Sequence, residues 1–312
     1  MSNRTSVTEF ILIGVSDARD FYSSLFGLFL LLYIANISGN LVVAAVTLWD
    51  PHLQTPMYFF IGNLAFIDIF YFSTTVPKMF MGLMSHSNRI PYAGCIVQMF
   101  FFHFLGSTEA MLLAIMGYDR YLAICHPLRY PVLMSHQLRW ILAACVWAAG
   151  FFHSLLHAIM MSRLSFCQDN RVEHFFCDIS PLLALSCSDT GVNQALLVGV
   201  TGSIIMGCFA LTLTSYGLIL QAVVAMRSSE GLRRTFSTCG AHLTVVALHY
   251  GCAGAMYLRP HSENSLETDR AVTVLYTAVT PVLNPLIYTL RNKEVKAALR
   301  RAVSRNARCQ RG

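Results

Sequence analysis

The chain has 312 residues, 55% of them hydrophobic and only 12% charged, with a formal net charge of +6 and a mean hydropathy of +0.54. A soluble domain carries about 25% charged residues. A charge fraction half that size excludes an ordinary water-soluble enzyme or nucleic-acid binder and points to a chain whose solvent is mostly lipid.

An apolar helix needs about 20 residues to cross a bilayer. Stretches free of Asp, Glu, Lys and Arg cover 21–49, 90–108, 140–162, 190–226, 235–258 and 271–290, and a seventh, 57–84, is apolar apart from Asp68 and Lys78. The expectation is an all-α membrane protein of seven transmembrane helices in one domain, 1–312. It divides into an extracellular segment (1–21), a helical bundle (22–290) and a cytoplasmic tail (291–312).

In chain order, the first twenty residues hold five charges and no apolar core of a cleavable signal peptide, so the first span is expected to act as a signal anchor. Asn3-Arg4-Thr5 is an N-glycosylation sequon, usable at Asn3 with the amino terminus outside. The third span ends in MGYDRYLAICHPLRY (116–130). The fourth carries His153 and His157 one helical turn apart. That spacing can chelate a metal but lacks a third ligand, so a packing or hydrogen-bonding pair is expected. The loop at about 162–193 is the longest connection and holds three cysteines. The 190–226 run exceeds one plain span, and its helix is placed at about 194–226 with the outer end beyond the bilayer. In the last span Pro281 and Pro285 free backbone carbonyls, which suits a hinge. In the tail, Val295, Ala298, Leu299, Ala302 and Val303 recur at helical spacing among basic residues, the pattern of a short amphipathic eighth helix on the inner leaflet. Cys309 is there for a palmitoyl anchor, a free thiol being the plainer reading.

With the amino terminus outside, the inner segments hold 14 basic residues and the outer ones 7. This follows the positive-inside rule, and the positive charge is then an inner rim facing anionic lipids and a partner. The same topology puts Cys95, Cys167, Cys177 and Cys187 on the oxidising side, where four cysteines allow three pairings. Cys125, Cys239 and Cys309 fall on the reducing side.

At 116–130 the sequence stops being generic. The D-R-Y of rhodopsin-like receptors stands there, and the longer string resembles the odorant-receptor version. PMYFFIGNLAFID (56–68), SY (215–216), LRRTFSTCGAHL (232–243) and PVLNPLIYTLRN (281–292) resemble the same family, in its order and spacing. Departures are Gly117, Arg234-Thr235, Ala241, and His249 before Tyr250 where an aromatic is usual.

The resemblance implies a receptor that binds small volatile, semi-polar organic ligands within its bundle and activates a stimulatory heterotrimeric G protein from the plasma membrane, raising cyclic AMP. It implies a switch at Asp119, Arg120 and Tyr121, with Arg120 paired to Asp119 at rest. Tyr216, Arg233, Arg234 and His242 would lie on the moving inner ends of the fifth and sixth spans. A buried polar cluster of Asn40, Asp68, Glu109 and Asn284 is implied, neutralised by a shared proton or a bound Na+. The ligand pocket would draw on Phe102, His103, Gly106 and Ser107; Val200, Thr201 and Ile204; Tyr250, Ala253 and Tyr257; and Val274 and Thr277. Resemblance also pairs Cys95 with Cys177 and Cys167 with Cys187, which makes EHFFCD (173–178) a disulfide segment instead of a metal site. Neither a metal nor a nucleic acid is expected as a partner.

Rival functions lack their marks. A retinal protein needs a lysine in its last span, where none stands; a transporter tends to show inverted repeats or broken helices; and no H-E-x-x-H or G-x-S-x-G marks an enzyme.

Overall fold

The computed structural model describes residues 7–13, 22–85, 88–167, 170–225, 229–257, 272–291 and 294–301, with only the backbone for residues 22, 85, 229–238, 257 and 289–291. The described residues are mostly helical. The main helices are α1 (Tyr22–Trp49), α2 (Pro56–Ser85), α3 (Tyr92–Cys125), α5 (His136–Ser162), α8 (Gly202–Ala225), α9 (Ser229–Tyr257) and α10 (Thr280–Arg291). Short helices α4 (Tyr130–Leu133), α6 (Ile179–Ala184) and α7 (Gly191–Leu196) lie in the connections. A π-helical turn, Leu197–Thr201, joins α7 to α8, and another, Leu275–Val279, precedes α10.

Among the described residues, five helical stretches are long and apolar enough to cross a membrane: Ser23–Trp49, Pro56–Met84, Tyr92–Cys125, His136–Ser162 and Gly191–Ala225. A shorter apolar helix spans Val272–Tyr288. The fifth span begins at Gly191, three residues ahead of the 194 expected from sequence, because α7 and the π turn continue its axis outward.

α3 is the central post. Buried side chains follow one another along it from Cys95 to Leu122, including Met99, Leu105, Leu112, Leu113 and Met116. α1 is peripheral and leaves Leu31 68% and Leu48 71% exposed. Apolar side chains facing outward are costly in water and the matching surface in lipid, where helices are held by close packing. Gly150 shows such packing: a Cβ there would collide with Thr108 Oγ1 and stand 3.0 Å from the Phe104 carbonyl, so its absence lets α5 lie directly on α3. Trp147 of α5 also donates to Asn63 Oδ1 of α2 at 3.1 Å.

At the end with the disulfides, three short strands form a sheet in the order β2-β1-β3. β1 (Glu9–Leu12) runs antiparallel to β2 (Arg89–Pro91) and parallel to β3 (Arg171–Val172). The amino-terminal segment is thus the central strand of a cap. Phe10 and Leu12 bury against Ile90, Cys95, Met99, Phe166, Val172 and Ile179. Glu9 and Arg89 pair at 2.7 Å on the outside of the cap.

At the opposite end a helix over 294–301 lies against the first loop, burying Val295 and Ala298 on Val46 and Leu53. Those are inward-facing positions of the amphipathic pattern. Arg301 contributes a double ion pair to Asp50, with Nε at 2.9 Å and a terminal nitrogen at 2.8 Å. Against the cost of burial, the His52 N–H and the Arg301 guanidinium hold the Asp50 carboxyl below its usual range.

Candidate functional site

Both disulfides join the expected pairs. Cys95–Cys177 has Cα atoms 5.4 Å apart and ties the start of α3 to the long loop; Cys167–Cys187 has them 6.1 Å apart and closes the loop on itself. The first bond drags 175–178 into the mouth of the bundle. Phe176 packs on Phe102 of α3 with ring centroids 4.5 Å apart. The Cys177 N–H donates to Gln98 Oε1 at 2.9 Å, while Gln98 Nε2 donates to the Thr74 carbonyl at 3.0 Å, so one glutamine ties loop, α3 and α2 together. Asp178 then accepts from His103 Nε2 at 2.8 Å, with both side chains 5% exposed. Burial alone would raise the Asp178 carboxyl, but the hydrogen bond and charge of His103 hold it below the usual carboxylate range. Asp178 also caps α6 through the Ile179 N–H at 2.8 Å.

Beneath this plug lies a cavity of ≈ 30 Å³. Seven of the expected pocket residues line it: Phe102, His103, Gly106, Ser107, Thr201, Ile204 and Ala253. Tyr71, Ala110, His153, Ile205, His249 and Tyr276 complete the wall. Val200, Tyr250, Val274 and Thr277 are not part of this lining. Tyr250 instead spends its hydroxyl on the Ala110 carbonyl at 2.7 Å, binding α9 to α3, and Thr277 donates to Thr273 O at 2.7 Å. The Tyr257 side chain lies outside the described residues.

His153 and His157 do share a partner. Thr201 Oγ1 lies 2.9 Å from His153 Nε2 and 3.1 Å from His157 Nε2. A hydroxyl carries one proton, so it donates to one ring and accepts from the other. Among the described residues, no group of three or more His, Cys, Asp and Glu side chains is placed to hold a metal ion.

The four polar residues expected in one cluster divide into three pairings. Asn284 Nδ2 donates to both Asp68 oxygens, at 3.0 and 3.1 Å, in a site where both residues are fully buried. Asn40 turns to α10. Pro285 has no N–H, which orphans the carbonyl of Pro281 four residues earlier. Asn36 Nδ2 and Asn40 Nδ2 take that carbonyl at 3.1 and 3.3 Å. Pro281 likewise orphans Thr277, and there the helix runs through its π turn, with Thr280 Oγ1 donating to Leu275 O at 3.0 Å. Glu109 feels Asp68 electrostatically but leans on α9, its Oε1 3.2 Å from His249 Nδ1.

At the opposite end, Asp119 accepts from Tyr130 Oη of α4 at 2.8 Å, and among the described residues the expected ion pair with Arg120, within 4.0 Å, is not found. Adjacent residues on a helix point about 100° apart. Asp119 therefore faces the loop helix, while the charge of Arg120 is felt both there, at Asp119 and Tyr130, and across the bundle at Tyr216, Cys239, His242 and Tyr288. Tyr121 turns aside to His126 Nε2 at 3.1 Å. His242 completes a bridge. Its Nε2 lies 3.1 Å from the Leu113 carbonyl, which can only accept, so that nitrogen carries the proton. Nδ1 is then the acceptor for Tyr216 Oη at 2.6 Å. One imidazole so links α3, α8 and α9. The Arg233 and Arg234 side chains and Asn3 lie outside the described residues.

The chain matches the family model described as olfactory receptor over residues 29–306. It is 51% identical to Olfactory receptor 12D1 of Homo sapiens over 306 residues, covering 98% of this chain and 96% of that protein. It is 50% identical to Olfactory receptor 12D2 of Homo sapiens, covering 98% and 100%. With Olfactory receptor 1M1 of Mus musculus the identity is 45% over 303 residues, covering 97% of each chain.

Proposed function

Because the chain belongs to the olfactory receptor family, we propose that it detects small, semi-polar volatile molecules in the cavity beneath the disulfide-held loop and signals through a stimulatory heterotrimeric G protein to raise cyclic AMP. Five spans are evident from length and composition; α9 and the Val272–Tyr288 helix complete a bundle of seven in the plasma membrane, with the 294–301 helix as the eighth on the inner leaflet. Asn3 is the glycosylation site.

The observation that carries this reading is the single line of contacts from cavity to inner face. Ser107, Gly106 and Ala110 line the cavity, Leu113 receives His242, and Asp119 and Arg120 close the same helix. A ligand shifts a conformational equilibrium only by binding one state better than the other. Here the differential contacts are with Thr201 of the π turn before α8, Ile204 of α8, and His249 and Ala253 of α9, and the inner ends of α8 and α9 are held to α3 by the Tyr216–His242–Leu113 bridge. Ligand-favoured displacement of α9 exposes Arg120 and the basic pair Arg233 and Arg234 to the G protein. Asp68 and Glu109 are neutralised in the resting bundle by a shared proton or Na+ near Asn284.

A cell assay with a broad odorant panel tests this. Odorant-dependent cyclic AMP is expected, and Arg120→Ala abolishes it at equal surface expression. An undiminished response in that variant would sink the mechanism.

A further inference from the structure

Among the described residues, Arg139 is a buried cation without a counter-charge. It stands at the start of α5, 8% exposed, with its guanidinium carbon 5.3 Å from the centre of the Phe59 ring of α2. A terminal nitrogen reaches the Gln54 carbonyl at a long 3.5 Å, and Nε is buried with no partner. The acids nearest in the fold are spent elsewhere, Asp50 on Arg301 and His52, and Asp119 on Tyr130. Arginine keeps its charge in any setting. An unpaired buried charge is costly, and a cation near a helix N-terminus opposes the positive end of the dipole. An anion in the same notch offsets both costs.

The notch opens on the outer surface of the bundle. Trp140, the next residue, is 56% exposed and packs on Phe59 with ring centroids 4.6 Å apart. Seven residues further along both helices the pair repeats: Phe66 of α2, 49% exposed, has its ring centroid 5.8 Å from that of Trp147 of α5. Seven residues of helix rise about 10 Å. A cation at one end and an aromatic track of about that length beyond it, turned outward, suit a molecule with an anionic head and an apolar chain.

We propose that the groove between α2 and α5 binds an anionic phospholipid of the inner leaflet, with the phosphate on Arg139 and an acyl chain along Phe59, Trp140, Phe66 and Trp147. A guanidinium matches a phosphate with two parallel hydrogen bonds, and the inner leaflet supplies that anion at the depth of Arg139. A sterol hydroxyl brings no charge to the site, and a soluble phosphate makes no use of the aromatic track. The proposal rests on the receptor reading only for which end of the bundle faces the inner leaflet.

The test labels the full chain in lipid nanodiscs, without odorant or G protein, using phosphatidylglycerol that carries a diazirine on its acyl chain. Adducts are mapped by mass spectrometry, and phosphatidylcholine with the same label is the comparison. Phosphatidylglycerol is expected to mark 59–66 and 140–147 at least about fivefold more strongly, the effect of one basic residue at an anionic surface. Arg139→Gln keeps a hydrogen-bonding side chain without the charge and removes the excess, whereas Arg139→Lys retains it. Equal labelling by the two lipids, or an undiminished excess in Arg139→Gln, overturns the proposal. An excess erased by glycerol 3-phosphate would make the ligand a soluble phosphate, and one erased by cholesterol a sterol; either overturns it too. Should Arg139→Gln not fold, the two lipids compared on the unmutated chain decide. Labelling needs no odorant, so a chain silent to every odorant overturns the receptor reading and not this one, and equal labelling in a chain that answers odorants does the reverse.

Discussion

The two ends of this bundle are held together in different ways. The disulfide end is tied by contacts that leap across the chain: a strand near the amino terminus paired with segments about 80 and 160 residues away, two covalent bridges, and a loop carboxylate buried against His103. At the opposite end the 294–301 helix is pinned to Asp50, but α3 is joined to α4, α8 and α9 by single hydrogen bonds, Tyr130 to Asp119 and Tyr216 to His242 to Leu113. A covalent and sheet-like cap fixes a pocket's mouth. Single hydrogen bonds, each worth about 1 kcal/mol net, can be exchanged when a ligand tips the balance. On the reading proposed above, the difference makes the disulfide end the scaffold and the opposite end the one that moves.

The largest effect is expected from breaking the cap. Cys95→Ser or Cys177→Ser should cost about 2–5 kcal/mol and deplete the receptor from the cell surface, as flow cytometry would measure. Normal surface levels and normal signalling would remove the cap from the scaffold. Next, Gly150→Val drives a side chain into Thr108 and the Phe104 carbonyl. Overpacking of this kind costs about 1–3 kcal/mol, read as a lower melting temperature of the detergent-solubilised receptor, with the basal signal per surface molecule unchanged.

A smaller effect, at the other end, separates the two regions. His242→Phe removes the inner of the two hydrogen-bonded ties between α9 and α3, leaving the Tyr250–Ala110 one, at a cost of about 1–3 kcal/mol to the resting state. Ligand-independent cyclic AMP should rise several-fold while the rank order of odorants is kept. A changed rank order would mean that the bridge shapes the pocket. The smallest effect concerns pH. The Asp178 carboxyl is held below its usual value of 3.8, so the fold favours its ionised form. Its contribution is complete above that value and fades as pH falls through the lower folded value. Thermal stability should therefore be indifferent to Asp178 titration between pH 5 and 7 and decline only below about pH 4. Asp178→Asn should remove that acid limb.

Much of the fold was legible because lipid imposes one simple rule, long charge-free helices, and the stretches around Asp68 and Asp119 placed the chain among known receptors. The outer strand was not legible. Glu9–Leu12 is too short for a periodic signal, and its partners lie far away in sequence. The pocket was half legible: Phe102, His103, Gly106 and Ser107 follow from the face of α3. Tyr71 and Tyr276 came in because α2 and the π turn before α10 set their rotation, which no local spacing encodes. His249 was visible as a departure from the family pattern, but its partner Glu109 was assigned to Asp68, since sequence gives the carboxylates without the way they lean. Asp178 had a signal, an acid beside a bridged cysteine, whose meaning appears only once His103 stands opposite it.

The most direct test of a fixed outer end and a moving inner end is a pair of distances in one receptor. Spin labels at Arg89 and Arg171 report the cap, and labels at Leu128 and Glu230 report the inner mouth between the loop after α3 and the start of α9. With an activating odorant, the inner distance is predicted to lengthen while the outer one holds. An outer pair that separates while the inner pair stays put would contradict the account.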